Sequence, residues 1–92
     1  MPTANARHIL VSTEAECLKL KAEIEAGADF GEVAKYNSSC PSRMRGGDLG
    51  TFVAGQMVKE FDEAVFSGEL QKVLGPVKTE FGYHLIEVTK RW

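Results

Sequence analysis

Histidine, cysteine and proline are scarce in this chain, and neither sign of charge prevails. The 2 cysteines, Cys17 and Cys40, form no Cys-x-x-Cys pair and show no other metal-type spacing. That excludes a disulfide framework or a zinc module as the organising feature, and both thiols are expected to be reduced. The 2 histidines form no His-x-x-x-His pair. Lysine and arginine number 11 against 13 aspartates and glutamates, for a net charge of −2. No basic field is present to gather nucleic acid or an anionic membrane. No apolar run approaches the ~18 residues of a transmembrane helix, so no membrane span is expected. The opening, Met1 to Ala6, is too short and polar for a secretory signal, and the chain reads as cytoplasmic. Internal repeats, linkers and low-complexity stretches are lacking too. Residues 1–92 therefore read as one small domain, with 43% hydrophobic residues to fill a core.

What is present is organised around Thr79-Glu80-Phe81-Gly82-Tyr83-His84-Leu85-Ile86-Glu87-Val88. Gly82 sits between two aromatics, where the backbone needs a conformation other residues resist. The apolar, partly β-branched residues after it predict a strand headed by His84. His8 heads the comparable run Arg7-His8-Ile9-Leu10-Val11. If the two strands are neighbours, both imidazoles lie in one place and the rest of the chain wraps around them.

Between these strands the pattern is mostly helical. Thr13-Glu14-Ala15-Glu16 fits a capping box, followed by the buried stripe Cys17, Leu20, Ile24 and a stop at Gly27. Asp29 caps a short second helix with Phe30, Val33 and Ala34 inside. Cys40 precedes Pro41 and is expected to be extended. Ser42 to Gly50 reads as a glycine-rich loop and Thr51-Phe52-Val53 as a short strand. Val58 to Phe66 reads as a third helix, with Phe61, Ala64 and Val65 inward. Val73 to Thr79 reads as an edge strand, because Pro76 cannot donate to a ladder. The order β, α, α, β, α, β, β predicts an α+β domain, its antiparallel sheet covered by helices and its terminal strands paired at the centre.

Three chemistries fit the residues at the loops and element ends. Two histidines and Cys40 could ligate zinc, but a fourth ligand is lacking. Cys40 with a histidine base could form a hydrolytic pair, but no local signature supports it. The third is a non-covalent pocket. Met57, Phe61 and Phe81 supply an adaptable apolar surface, and thiol, hydroxyl and imidazole groups supply polar points at its floor. A proline ring would suit such a pocket. Each residue also has a plainer reading. Phe61 at helical spacing is more often core, Cys40 a small hydrophobe, a strand histidine structural, and Arg43 and Arg45 a solvated loop. Composition and periodicity end there.

The motifs go further. The chain carries Arg7-His8-Ile9-Leu10-Val11, Gly27-Ala28-Asp29-Phe30-Gly31-Glu32-Val33-Ala34 and Ser38-Ser39-Cys40-Pro41-Ser42 with Arg45-Gly46-Gly47-Asp48-Leu49-Gly50. It continues with Gly55-Gln56-Met57-Val58-Lys59-Glu60-Phe61 and Gly75-Pro76-Val77-Lys78-Thr79-Glu80-Phe81-Gly82-Tyr83-His84. In this order they resemble a parvulin-type peptidyl-prolyl cis/trans isomerase, from about Ala6 to Arg91, of the minimal single-domain bacterial kind. The resemblance implies a four-stranded antiparallel sheet with helices packed around it, of the parvulin/FKBP-like kind. It implies isomerisation of Xaa-Pro bonds, with proline-containing peptides and unfolded chains as partners. No cofactor and no metal are expected, and the domain is expected to act as a monomer.

The family's paired histidines fall on His8 and His84, its active-site cysteine on Cys40, and its proline pocket on Met57, Phe61 and Phe81. Leu49 and Thr79 match further lining positions. The expected catalytic set is therefore His8, Cys40, Thr79 and His84, and the expected substrate-binding set Leu49, Met57, Phe61 and Phe81. Relatives selective for phosphorylated Ser/Thr-Pro carry a basic loop after the first strand. Here Val11-Ser12-Thr13-Glu14-Ala15-Glu16 is short and acidic, so no phosphate dependence is expected. Phe81, replacing a smaller residue, favours a bulky apolar side chain before the proline.

Overall fold

The computed structural model describes residues 2–92. Its elements are β1 (Thr3–Val11), α1 (Glu14–Glu25), α2 (Phe30–Asn37), a 3-10 turn (Pro41–Arg45), β2 (Asp48–Val53), α3 (Lys59–Ser67), β3 (Val73–Thr79) and β4 (Gly82–Arg91). The sheet is antiparallel with strand order β2-β1-β4-β3. The two terminal strands pair at its centre, and the proline-containing β3 lies at an edge, as the pattern predicts.

Local chemistry sets the helix ends. Thr13 Oγ1 accepts the Glu16 amide at 3.2 Å and Asp29 Oδ2 accepts the Glu32 amide at 3.0 Å, which satisfies one orphan N–H at the start of α1 and of α2. At the end of α3 the Arg91 guanidinium reaches over from β4 and donates to the carbonyls of Val65 and Gly68, both at 2.8 Å.

Two strand starts and one loop depart most from the sequence reading. β1 starts at Thr3 rather than Arg7, and β2 at Asp48 rather than Thr51. Thr3-Ala4-Asn5-Ala6 has weak strand propensity, but pairing on both sides overrides it. Ala4 faces Phe52 on one side and Arg91 on the other. Pro41–Arg45 is a 3-10 turn where a loop was expected; Pro41 has its φ preset for a first helical position.

Two cores flank the sheet. Ala4, Ala6, Ile86 and Val88 meet Phe52 and, from α3, Phe61 and Val65. On the other face Ile9, Val11 and Leu85 meet Cys17 and Leu20 of α1 and Phe30, Val33 and Ala34 of α2. Because both faces are covered, consecutive residues are buried in the central strands: His8 and Ile9 in β1, and His84, Leu85 and Ile86 in β4. The histidines thus lie inside the sheet's centre, on the α3 side.

Candidate active site

Strand register brings the imidazoles together. His8 lies opposite Ile86 and Leu10 opposite His84, so the histidines are diagonal neighbours on one face. Two glycines let the flanking backbone close in. Gly47 has φ +85, its amide carbonyl accepts the His8 N–H at 2.9 Å, and a Cβ there would collide with the His8 carbonyl. Gly82 has φ +140 beneath Val11, where a Cβ would stand 2.5 Å from the Val11 carbonyl.

The imidazole Nδ1 atoms are 3.1 Å apart, the ring centroids 5.2 Å apart and the planes inclined by 19°. Centroids so much farther apart than the facing nitrogens mean that the rings meet edge to edge rather than stacked. One Nδ1 carries the proton and the other accepts it. His84 Nε2 is 2.8 Å from Thr79 Oγ1, which also accepts the Phe81 amide at 3.1 Å. Protons in this chain point either from Thr79 toward His8 or from His8 toward Thr79. Under both arrangements His8 Nε2 is buried without a partner.

Burial decides the charge state. His8 and His84 are only 5% and 4% exposed. Desolvation first, then the neighbouring His84, lowers the His8 pKa from 6.5 to about 4. Desolvation lowers that of His84 as well. The pair is neutral at pH 7, and protonating either ring would bury an uncompensated charge.

Over the pair lies a cavity of about 150 Å³ lined by His8, Leu49, Met57, Val58, Phe61, Phe81 and His84. Phe61 stands nearly perpendicular to both imidazoles, with centroids at 5.5 and 5.4 Å. The surface presented is apolar, and the volume suits one small ring rather than a whole small molecule. Two larger depressions elsewhere, of about 320 and 390 Å³, are lined mainly by charged and polar groups and have no such floor.

Of the residues expected from sequence, His8, Leu49, Met57, Phe61, Phe81 and His84 come together around this cavity. Thr79 sits behind His84 rather than in the lining. Phe81, 64% exposed, forms a rim. Cys40 is partly exposed and does not line the cavity. Its amide donates to Ser38 Oγ at 3.3 Å, which also takes the Leu10 amide at 3.0 Å, so its loop is laced to the end of β1. Sequence reasoning missed Val58 in the lining and Ser38 as that lace. The signal for Val58 was its place between Met57 and Phe61; a serine whose hydroxyl stitches two segments leaves no pattern. Among the described residues no group of three or more His, Cys, Asp or Glu is placed to hold a metal ion.

The family model described as the PPIC-type PPIASE domain matches residues 2–92. The chain belongs to this family of peptidyl-prolyl isomerase domains. Foldase protein PrsA 1 of Bacillus cereus is 48% identical over 89 residues, covering 96% of this chain and 31% of the foldase. The crystal structure of the peptidylprolyl isomerase PrsA from Bacillus anthracis superposes with a TM-score of 0.96 at 39% identity, over 99% of this chain and 42% of that one. NmPin, the parvulin of Nitrosopumilus maritimus, superposes with a TM-score of 0.87 at 37% identity and 98% coverage of both chains. The chain thus spans about a third of the curated foldase and almost all of the archaeal parvulin. Its four-stranded antiparallel sheet with surrounding helices is the parvulin fold. No helix of the described residues is long and apolar enough to cross a membrane.

Proposed function

We propose that this PPIC-type domain isomerises Xaa-Pro bonds of peptides and unfolded chains without covalent chemistry, preferring an apolar residue before the proline and ignoring phosphate. The observation that carries the reading is the small apolar cavity above a neutral, hydrogen-bonded imidazole pair. The obstacle to rotation is amide resonance, a barrier of ~18–20 kcal/mol. Rotation needs no bond to the enzyme. It needs the twisted state, with its localised nitrogen lone pair, to be bound better than either planar state. A 10⁴-fold acceleration asks for ~5.5 kcal/mol of such preference.

The lining supports each part of that task. Met57, Val58 and Phe61 fix the ring as the stationary end. Exclusion of water favours the less polar, twisted amide. His8 and His84, uncharged, set the polarity of the floor and transfer no proton, and Thr79 orients His84. Cys40, outside the lining, is no nucleophile and at most brushes the moving carbonyl. Exposed Phe81 with Leu49 offers an apolar rim for the residue before the proline.

Two observations support independence from phosphate. Thr13 and the Glu16 amide are already bound to one another at the start of α1, beside the carboxylates of Glu14 and Glu16. Arg43 and Arg45 do not line the cavity; Arg45 lines a separate depression with Arg7 and Asp48. The foldase names of the relatives support assistance to folding chains as the wider role.

The test is exchange spectroscopy on peptides with leucine, glutamate or phosphoserine before proline. Exchange raised most for leucine supports the whole reading. A phosphoserine optimum removes the claim of phosphate independence. Tight binding without exchange turns the domain into a chaperone-like holder of proline segments, a role the exposed Phe81 rim would also serve.

A further inference from the structure

The loop between β2 and α3 carries Met57 and Val58 to the cavity, and its fastening is unequal. At its β2 end Gln56 closes a small ring on Val53: Gln56 Oε1 accepts the Val53 amide at 2.7 Å and the Val53 carbonyl accepts the Gln56 amide at 3.2 Å. Inside that ring Gly55 turns with φ +92, and a Cβ there would meet nothing within 4 Å. Glycine is needed at this point for its dihedral and not for space. Besides the Gln56–Val53 ring and the bond from the Ala54 amide to the Pro2 carbonyl at 3.0 Å, a carboxylate fastens the turn to α3. Asp62 Oδ1 accepts the Gly55 amide at 2.9 Å. Asp62 follows Phe61 on α3, and its own amide donates to the Val58 carbonyl at 2.9 Å. One residue therefore grips both ends of Gly55–Val58, the segment that contains Met57, while its neighbour Phe61 supplies the buried ring of the same cavity. The helix start offers no other side-chain cap, since Val58 is the N-cap residue and makes no capping bond.

We propose that Asp62 is a positioning residue, whose carboxylate bond to the Gly55 amide holds the Met57 loop against α3 and so sets the width of the proline cavity. This rests on the reading of that cavity as the proline site. Met57 grips the ring in planar and twisted states alike, so a loosened loop weakens binding of both. The signature is a rise in KM with kcat kept.

The experiment compares wild type, Asp62→Ala and Asp62→Asn. Amide hydrogen exchange is measured at Gly55, and line-shape kinetics are measured with a leucine-proline peptide. Asn keeps an acceptor oxygen in place while losing the negative charge near the helix start. The expected result for Asp62→Ala is a Gly55 amide that exchanges at least about tenfold faster, since protection of that amide rests on this bond. KM rises about tenfold, a change of about 1.4 kcal/mol, with kcat within about twofold. Asp62→Asn restores both properties. The proposal is overturned if Asp62→Ala leaves KM unchanged. It is equally overturned if Asp62→Asn falls as far as Ala, which would assign the effect to helix charge. A fall in kcat at constant KM also overturns it. If the peptide shifts no resonance of Met57 or Phe61 in the wild type, the proline-site reading itself fails, and the role of Asp62 falls with it.

Discussion

Mild acid should destabilise this domain through its histidines. In the folded state the His8 pKa is about 4, against 6.5 when unperturbed. Between these values the unfolded chain holds a proton that the folded chain refuses. Stability therefore rises with pH across that window and is lost as pH falls through it. For His8 alone the loss is about 2 kcal/mol by pH 5 and levels off near about 3 kcal/mol below pH 4. His84, lowered by the same burial, adds to the loss in the same direction. A domain of this size has ~5–10 kcal/mol in total, so the change is large. Urea unfolding at half-unit steps, with imidazole resonances followed in parallel, measures both quantities. A flat or rising stability from pH 7 down to 5, or a His8 ring that titrates near 6.5, would refute the buried neutral pair.

Three further outcomes follow from the geometry. Thr79→Val removes the acceptor of the Phe81 amide and the partner of His84 Nε2; it should cost about 1–3 kcal/mol in a urea melt and raise KM through the displaced Phe81 rim. A neutral Thr79→Val variant would show that the hydroxyl bonds carry no weight. Cys40→Ala, outside the cavity lining, should keep kcat/KM within about tenfold, or about 1.4 kcal/mol, and abolition of activity in a folded protein would revive covalent chemistry. Gly82→Ala forces a side chain into φ +140 against the Val11 carbonyl and should destabilise by at least about 1–3 kcal/mol, read as a lowered Tm; an unchanged Tm would mean that the hairpin adjusts freely.

The sheet's centre was legible because its signals are local. Aliphatic runs headed by histidine, a glycine turn and an interfering Pro76 suffice to predict β1 beside β4 and β3 at the edge. Helix starts were legible for the same reason, since Thr13 and Asp29 cap amides three residues on. The first half of β1 was not, because Ala4 and Ala6 become strand only through partners on both sides. Their small size, which weakens the pattern, is what fits them beneath Phe52 and Phe61 in the core. At the site, residue types indicated which side chains gather, but not their depth. Phe81 has the composition of a pocket wall and is a rim, because it occupies the two-residue hairpin turn before Gly82. Cys40 has the composition of a site residue and lies outside the cavity lining. Contacts such as Asp62 to Gly55 leave no periodicity, and only the folded loop reveals them.

The central claim is that the apolar cavity holds the proline ring while the bond before it turns. Exchange spectroscopy on a leucine-proline peptide, with intermolecular contacts recorded in the same sample, tests it most directly. The account predicts accelerated cis/trans exchange together with contacts from the proline ring to the Met57 methyl and the Phe61 ring. Unaccelerated exchange, or acceleration with the ring bound away from Met57 and Phe61, would contradict it.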